Sequence, residues 1–129
     1  MHIVELIGRI FLSVLFLING ISKIFDYEGT IEYMENFGVP GVLVYPAIII
    51  EILFPILLII GYKTRLSAIV LASFTILLAV IFHTEFSNPM QLTAFLKNFA
   101  IAGGFIIIFV YGPNKYSIDY MLKSKQKWN

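Results

Sequence analysis

Cysteine is absent from the 129 residues, which excludes disulfides, thiolate metal sites, iron–sulfur ligation and a dithiol relay carried by this chain. Charge is scarce as well. Asp, Glu, Lys and Arg make up 13% of the residues and leave a net charge of +1, against about 25% charged residues in soluble domains, so the overall balance favours neither nucleic acid nor an acidic ligand. There are only two histidines, His2 and His83. They fall at opposite ends of the pattern read below, so no metal site is expected. Phosphate loop, nucleophile elbow, dinucleotide fingerprint and metalloprotease helix are all missing. The chain is instead dominated by apolar residues, 59% of the total, with a mean hydropathy of +0.88. A soluble fold of this length has too little interior to hide that much apolar surface. A bilayer accepts it from outside.

Four apolar stretches run over residues 6–25, 42–60, 66–82 and 92–111. At 1.5 Å per residue each covers roughly 25–30 Å, the thickness of a hydrocarbon core. The first has Glu5 beside Arg9 and no small-residue cleavage site near Lys23, so it reads as an uncleaved span rather than a secretory signal. The segment 26–41 is polar, with Gly29, Gly38, Pro40 and Gly41, and its middle, 31–37, suits a short helix at the membrane interface. Gly61 to Arg65 is a tight turn joining the second and third spans as a hairpin, 83–91 forms a second loop, and a basic tail follows Gly112-Pro113. The expectation is one all-α domain, an integral membrane four-helix bundle of antiparallel spans.

Seven of the nine Lys and Arg (Arg9, Lys63, Arg65, Lys115, Lys123, Lys125 and Lys127) fall on the side of the two termini. The other side holds Lys23 and Lys97 with Asp26, Glu28, Glu32, Glu35 and Glu85. Cytoplasmic loops are rich in Lys and Arg, which places both termini in the cytoplasm of a bacterial-type inner membrane. Topology alone accounts for Arg9 and Arg65, and Glu5 can pair with Arg9 one turn away. Tyr111, Tyr116, Tyr120 and Trp128 fit an interfacial aromatic belt, and the tail lysines suit anionic headgroups. In the third span Ala68, Ala72, Thr75 and Ala79 share a face, and the fourth carries Gly103 and Gly104; small residues at such spacing let helices pack closely.

Ionisable groups inside a span are costly and usually face the bundle interior. Glu51 is the tenth residue of the nineteen in 42–60, close to the midplane. Pro55, four positions on, has no amide hydrogen for the Glu51 carbonyl. Glu51 must therefore carry its proton or meet a cation. It sits about 13 Å in from the outer side, in reach of Lys97 with Asn98 in the fourth span, His83 at the end of the third, and Lys23 with Asn19 at the end of the first. These six residues make up the expected pocket in the outer half. For Lys23 the simplest alternative is snorkelling to the outer headgroups, and His83 can equally be an interfacial histidine.

Read in order, Arg9, Gly20-Ile21-Ser22-Lys23, Gly38-Val39-Pro40, Glu51, Gly61-Tyr62-Lys63-Thr64-Arg65, His83, Leu96-Lys97-Asn98, Gly103-Gly104, Gly112-Pro113 and Tyr116-Ser117-Ile118-Asp119 resemble the DoxX family of small four-span bacterial membrane proteins. The resemblance implies association with membrane oxidoreductase complexes, since relatives include a subunit of a thiosulfate:quinone oxidoreductase and components of oxidative-stress defence. Fold-level analogy does not by itself assign an activity. The expected role is an auxiliary subunit of a membrane redox system, with no covalently bound cofactor, quinone as the candidate ligand, and membrane or soluble redox proteins as partners, in a possible homo-oligomer. The alternatives are a non-enzymatic assembly factor or chaperone and a small oligomeric transporter.

Overall fold

The structure, a computed structural model, describes residues 2–128, with side-chain surroundings through residue 123. The side chains of Lys125, Lys127 and Trp128, assigned above to headgroups and the aromatic belt, lie outside the described residues. The elements are α1 (His2–Phe25), α2 (Tyr27–Asn36), a 3₁₀ turn (Gly41–Leu43), α3 (Val44–Ile60), α4 (Thr64–Phe82), α5 (Pro89–Tyr111) and α6 (Ile118–Trp128). Four of these are long and apolar enough to cross a membrane, namely α1, α3 with its preceding turn, α4 and α5. The protein is thus an all-helical integral membrane bundle, as its hydropathy demands.

Helix ends differ from the apolar stretches in instructive ways. α1 starts at His2 and α5 at Pro89, so both helices begin a few residues before the apolar stretches they contain. Asn88 caps α5 by accepting a hydrogen bond from the Met90 amide at 3.0 Å, and Pro89 occupies the first turn, where its missing N–H costs nothing. The α3–α4 hairpin turns through Gly61 (φ +75°) and Lys63 (φ +53°). α6 is a helix where only a basic tail was expected. Asp119, in its first turn, accepts the backbone N–H groups of Lys63 at 2.9 Å and Thr64 at 2.7 Å, so α6 supplies the N-terminal cap that α4 lacks locally.

The spanning helices pack in the order α1, α3, α4, α5, while α1 and α5 meet only narrowly. Glu5, Arg9, Ser13, Phe16, Gly20 and Lys23 recur every three or four residues and so share one face of α1. Of these, Arg9, Ser13, Phe16 and Gly20 are buried, whereas Phe11 and Ile18 on other faces are exposed to the surrounding lipid. The small-residue face of α4, Ala68, Ala72, Thr75 and Ala79, is fully buried. The core consists of Phe16, Leu58, Ala68, Leu71, Ala72, Ala102 and Phe105, with the Phe16 and Phe105 rings 5.5 Å apart.

The start of α1 and the segment after α5 meet at one end, where Asn114 donates to the His2 carbonyl. Arg9 organises this terminal end and is not there for topology alone. It is fully buried and donates to the carbonyls of Leu58 at 2.9 Å, Ile59 at 3.1 Å and Tyr116. Its Nε lies 2.8 Å from Glu5. The last carbonyls of α3 have no helical partner of their own, and Arg9 supplies one while holding the segment before α6 against the bundle.

Candidate functional site

The opposite end of the bundle, capped by α2, holds a cavity of about 630 Å³. Its walls come from four helices: Asn19, Ser22, Lys23 and Asp26 from α1 and its junction, Gly29, Thr30, Tyr33 and Met34 from α2, Ala47 and Glu51 from α3, and Phe74, Leu77, Leu78, Ile81, Phe82 and His83 from α4 and its end. The α4 wall is almost entirely apolar. The polar groups cluster on the α1 and α3 side and at the mouth.

Lys23 and Glu51 form the centre of the site. The Lys23 ammonium donates to both carboxylate oxygens of Glu51, at 2.9 and 2.8 Å. Glu51 is 1% exposed and the Lys23 side chain 24%, so the acid is sealed and the cation faces the cavity. Two local features bring them together. Side chains on a helix lean toward its N-terminus, so Lys23, near the end of α1, leans back into the bundle, while Glu51 on antiparallel α3 leans up to meet it. Gly20 lets the helices close: a Cβ there would lie 2.7 Å from Ile52 Cγ1 and 3.2 Å from Glu51 Cβ. Snorkelling of Lys23 to the headgroups is therefore not what the fold adopts, because the same lean that aids a lysine at the start of a helix opposes it at the end.

Of the six residues expected to converge, Asn19, Lys23, Glu51 and His83 line the cavity, and Lys97 and Asn98 do not. α5 packs against α4 and contributes no residue to the cavity wall. Asn98 donates to the Thr75 carbonyl at 3.4 Å, tying α5 to α4. Lys97 is exposed and leans toward the start of α5, the direction that lets its ammonium reach headgroups. Arg65, the other charged residue singled out at the terminal end, is exposed there, far from this cavity. Among the described residues no group of three or more His, Asp or Glu could hold a metal ion.

Four of the lining residues, Ser22, Asp26, Tyr33 and Met34, were not singled out from the sequence as part of the pocket. Ser22 and Asp26 are four residues apart and share a face with Asn19 and Lys23, so helical spacing was available as a signal. Tyr33 and Met34 were not recoverable, because they depend on where α2 folds back. The Tyr33 ring stacks on Phe82 with centroids 5.4 Å apart, and Phe37 meets the same ring at 5.1 Å, fastening α2 to α4 as the roof of the cavity. At the roof's edge, the Tyr27 and Tyr45 hydroxyls hydrogen-bond.

His83 stands at the mouth, with Nδ1 2.9 Å from Gln91 Oε1. Gln91 and Phe82 also line a second, polar cleft of about 490 Å³ on the loop side, so the His83–Gln91 pair forms the partition between the cavity and that open cleft. Toward the termini the cavity is closed by packing. Phe16 lies seven residues from both Arg9 and Lys23, and Leu58 seven beyond Glu51; with Leu71 and Phe105 they form a buried apolar layer between the two polar ends.

The DoxX family model matches residues 4–84. The inner membrane protein YqjF of Escherichia coli (strain K12) is 39% identical over 120 residues, covering 93% of this chain and 92% of that protein. The inner membrane protein YphA of the same organism is 32% identical over 121 residues, 88% of this chain and 86% of the relative. A shorter match, 30% over 67 residues and about half of each chain, is to a Bacillus subtilis (strain 168) protein named "Putative oxidoreductase CatD". No solved structure matches significantly. Four apolar spans, the matched segment through α1 to α4, and full-length similarity to two inner membrane proteins lead to one conclusion: this chain belongs to the DoxX family.

Proposed function

We propose that this protein is the ligand-binding membrane subunit of a quinone-linked redox system, with both termini in the cytoplasm and the cavity open to the outer half of the bilayer. The observation that carries the reading is a bidentate ion pair set in the wall of a mainly apolar cavity of about 630 Å³, a size typical of small-molecule sites. A lysine ammonium has three N–H groups. Glu51 accepts two, which leaves one to donate into the cavity. The pair is neutral overall, and Asp26 at the mouth disfavours anions. The site therefore suits a neutral acceptor head, a carbonyl above all, with an apolar body against the α4 wall. Leu77 and Asn19 are exposed as well as lining the cavity, which gives a lipid-soluble molecule a lateral way in from the membrane. A quinone has that chemistry. The chain has no cysteine dithiol, so a partner protein delivers electrons, while this subunit holds the ring and presents a proton-bearing group to its carbonyl. The name of the Bacillus relative is consistent with redox work. A transport role fits less well, because the Phe16–Leu58–Leu71–Phe105 layer closes the route to the other side.

The experiment is extraction in a mild detergent followed by mass spectrometry of co-purifying lipids, for the wild type and Lys23→Met. Quinone should accompany the wild type at near-stoichiometric levels and fall in the variant. A wild type free of quinone, with protein partners recovered equally from both, would favour the assembly-factor reading instead. Orientation is tested on the cysteine-free background by placing single cysteines at Glu28 and Lys123 and labelling intact cells with an impermeant maleimide. Labelling at 123 and not at 28 would reverse the topology.

A further inference from the structure

We propose that the terminal end of the bundle carries a binding site for the headgroup of an anionic phospholipid, centred on Arg65 and independent of the α2-capped cavity. Several observations converge there. The Arg65 guanidinium lies flat against Gly112: a Cβ at that position would be 2.6 Å from Nε, 2.7 Å from Nη2 and 3.0 Å from Cζ. The positive φ of Gly112, +75°, favours glycine, and the missing side chain lets the guanidinium come close to the backbone. The guanidinium thus rests at the seam where α4 begins and α5 ends, and its planar fork is the group best matched to two phosphate oxygens.

Arg65 has no acidic partner among the described residues. The acids of the terminal end among the described residues are Glu5 and Asp119, and neither pairs with Arg65, although Asp119 keeps its charge near Lys63. Glu5 pairs with buried Arg9. Asp119 accepts the amides of Lys63 and Thr64. The ion pairs found among the described residues are Arg9–Glu5 and Lys23–Glu51, which leaves Arg65 without an acidic partner.

Two further cations flank it on the same seam. Segment 112–119 is bound against the α3–α4 turn, with the Asp119 amide donating to the Gly61 carbonyl at 2.9 Å. This brings the segment that carries Lys115 against the turn that carries Lys63. Each lysine is poised over a tyrosine, Lys63 Nζ 5.7 Å from the Tyr62 centroid and Lys115 Nζ 5.9 Å from that of Tyr116. Tyrosine prefers the membrane–water boundary, and Tyr111, at the end of α5, is exposed at the same level. Arg65, Lys63 and Lys115 thus put three cations on adjoining segments of the interface, against the single nearby charge of Asp119 among the described residues. A headgroup phosphate, with its acyl chains running along the exposed side of α4 and α5, meets that charge and depth together. A free phosphate would satisfy the charge alone.

The test is native mass spectrometry of the full chain in detergent, titrated with phosphatidylglycerol and with phosphatidylethanolamine of the same acyl chains. One phosphatidylglycerol should be retained per chain in clear preference to phosphatidylethanolamine. Arg65→Ala should weaken retention roughly fivefold, the size expected for one basic group at a lipid surface, Arg65→Lys should weaken it less, and Lys123→Ala should leave it unchanged. Equal retention of the two lipids by the wild type would overturn the site, and this comparison needs no variant. So would an Arg65→Gln protein that folds and binds as the wild type does, or a Lys123→Ala loss as large as that of Arg65→Ala, which would indicate diffuse attraction by the tail. Complete displacement by millimolar inorganic phosphate would assign the site to free phosphate and refute the lipid.

Discussion

Replacing Lys23 with Met strikes at the contact on which the cavity depends. The two N–O distances of 2.9 and 2.8 Å correspond to a Coulomb attraction of about 5–6 kcal/mol at an effective dielectric of 20. Desolvation of both groups offsets much of this. Lys23 is a quarter exposed while Glu51 is sealed at 1%, so removing the cation abandons a charge that cannot reach solvent. Breaking one side of a buried pair costs about 3–5 kcal/mol. The partial exposure of Lys23 and the chance for Glu51 to take up a proton place the expected loss near the bottom of that range, ~3 kcal/mol. Glu51→Gln keeps an acceptor for Lys23 and should cost about 1–2 kcal/mol. The double variant Lys23→Met/Glu51→Gln removes both charges at similar volume and should be less destabilised than Lys23→Met alone. Equilibrium unfolding in mixed micelles, analysed as a double-mutant cycle, measures the coupling. A coupling of about 2 kcal/mol or more is expected, above the ~0.6 kcal/mol average for hydrogen bonds between membrane helices. A value below about 0.5 kcal/mol, or a double variant weaker than Lys23→Met, would refute the argument that this pair is a sheltered, mutually dependent unit.

Arg9→Ala should cost about 3–5 kcal/mol, since it frees two α3 carbonyls and the Tyr116 carbonyl and leaves Glu5 unpaired; protease susceptibility of the 112–118 segment would rise, and an unchanged digestion pattern would exclude the clamp. Gly20→Ala should destabilise by about 1–3 kcal/mol through the collision with Ile52 and reduce quinone retention by moving Lys23, whereas Gly103→Ala, where no atom lies within 4 Å of the new Cβ, should be neutral or slightly stabilising in the same unfolding assay. Burial raises the Asp119 carboxyl, but hydrogen bonds from Thr64 and Lys63 outweigh it and hold the group below the usual carboxylate range. A depressed folded pKa contributes stability that is present above the unfolded value near 3.9 and is lost as pH falls through the folded one. Docking of α6, followed by a fluorophore on a cysteine at position 121, should therefore hold from neutral pH down to about 4 and weaken below it, and Asp119→Asn should abolish that step and loosen α6 throughout.

Much of the site was legible, and the part that was not has a common cause. Glu51 stood out because a carboxylate at midspan must find shelter, and Lys23 and Asn19 were placed at a compatible depth. Depth also admitted Lys97, which the fold leaves exposed on α5. Depth is a one-dimensional property of the chain, whereas a contact also requires the rotation of each helix about its axis and the order of neighbours. Arg9 shows the same gap: a positive charge at the cytoplasmic end of a span is expected on topology, and nothing in its spacing announces three carbonyl partners up to 107 residues away.

The sequence by itself determined the number of crossings, their lengths, the shared end of the two termini and the presence of one deeply placed acid. It could do so because lipid imposes length and composition span by span, without reference to any other helix. Only the tertiary structure decided that Lys23 and not Lys97 answers Glu51, that α2 roofs the cavity through Tyr33 and Phe37, and that α6 returns to cap α4. In lipid the inward and outward faces of a span are both apolar, so hydropathy cannot say which way a helix turns. Close fits such as Gly20 against Ile52 settle that.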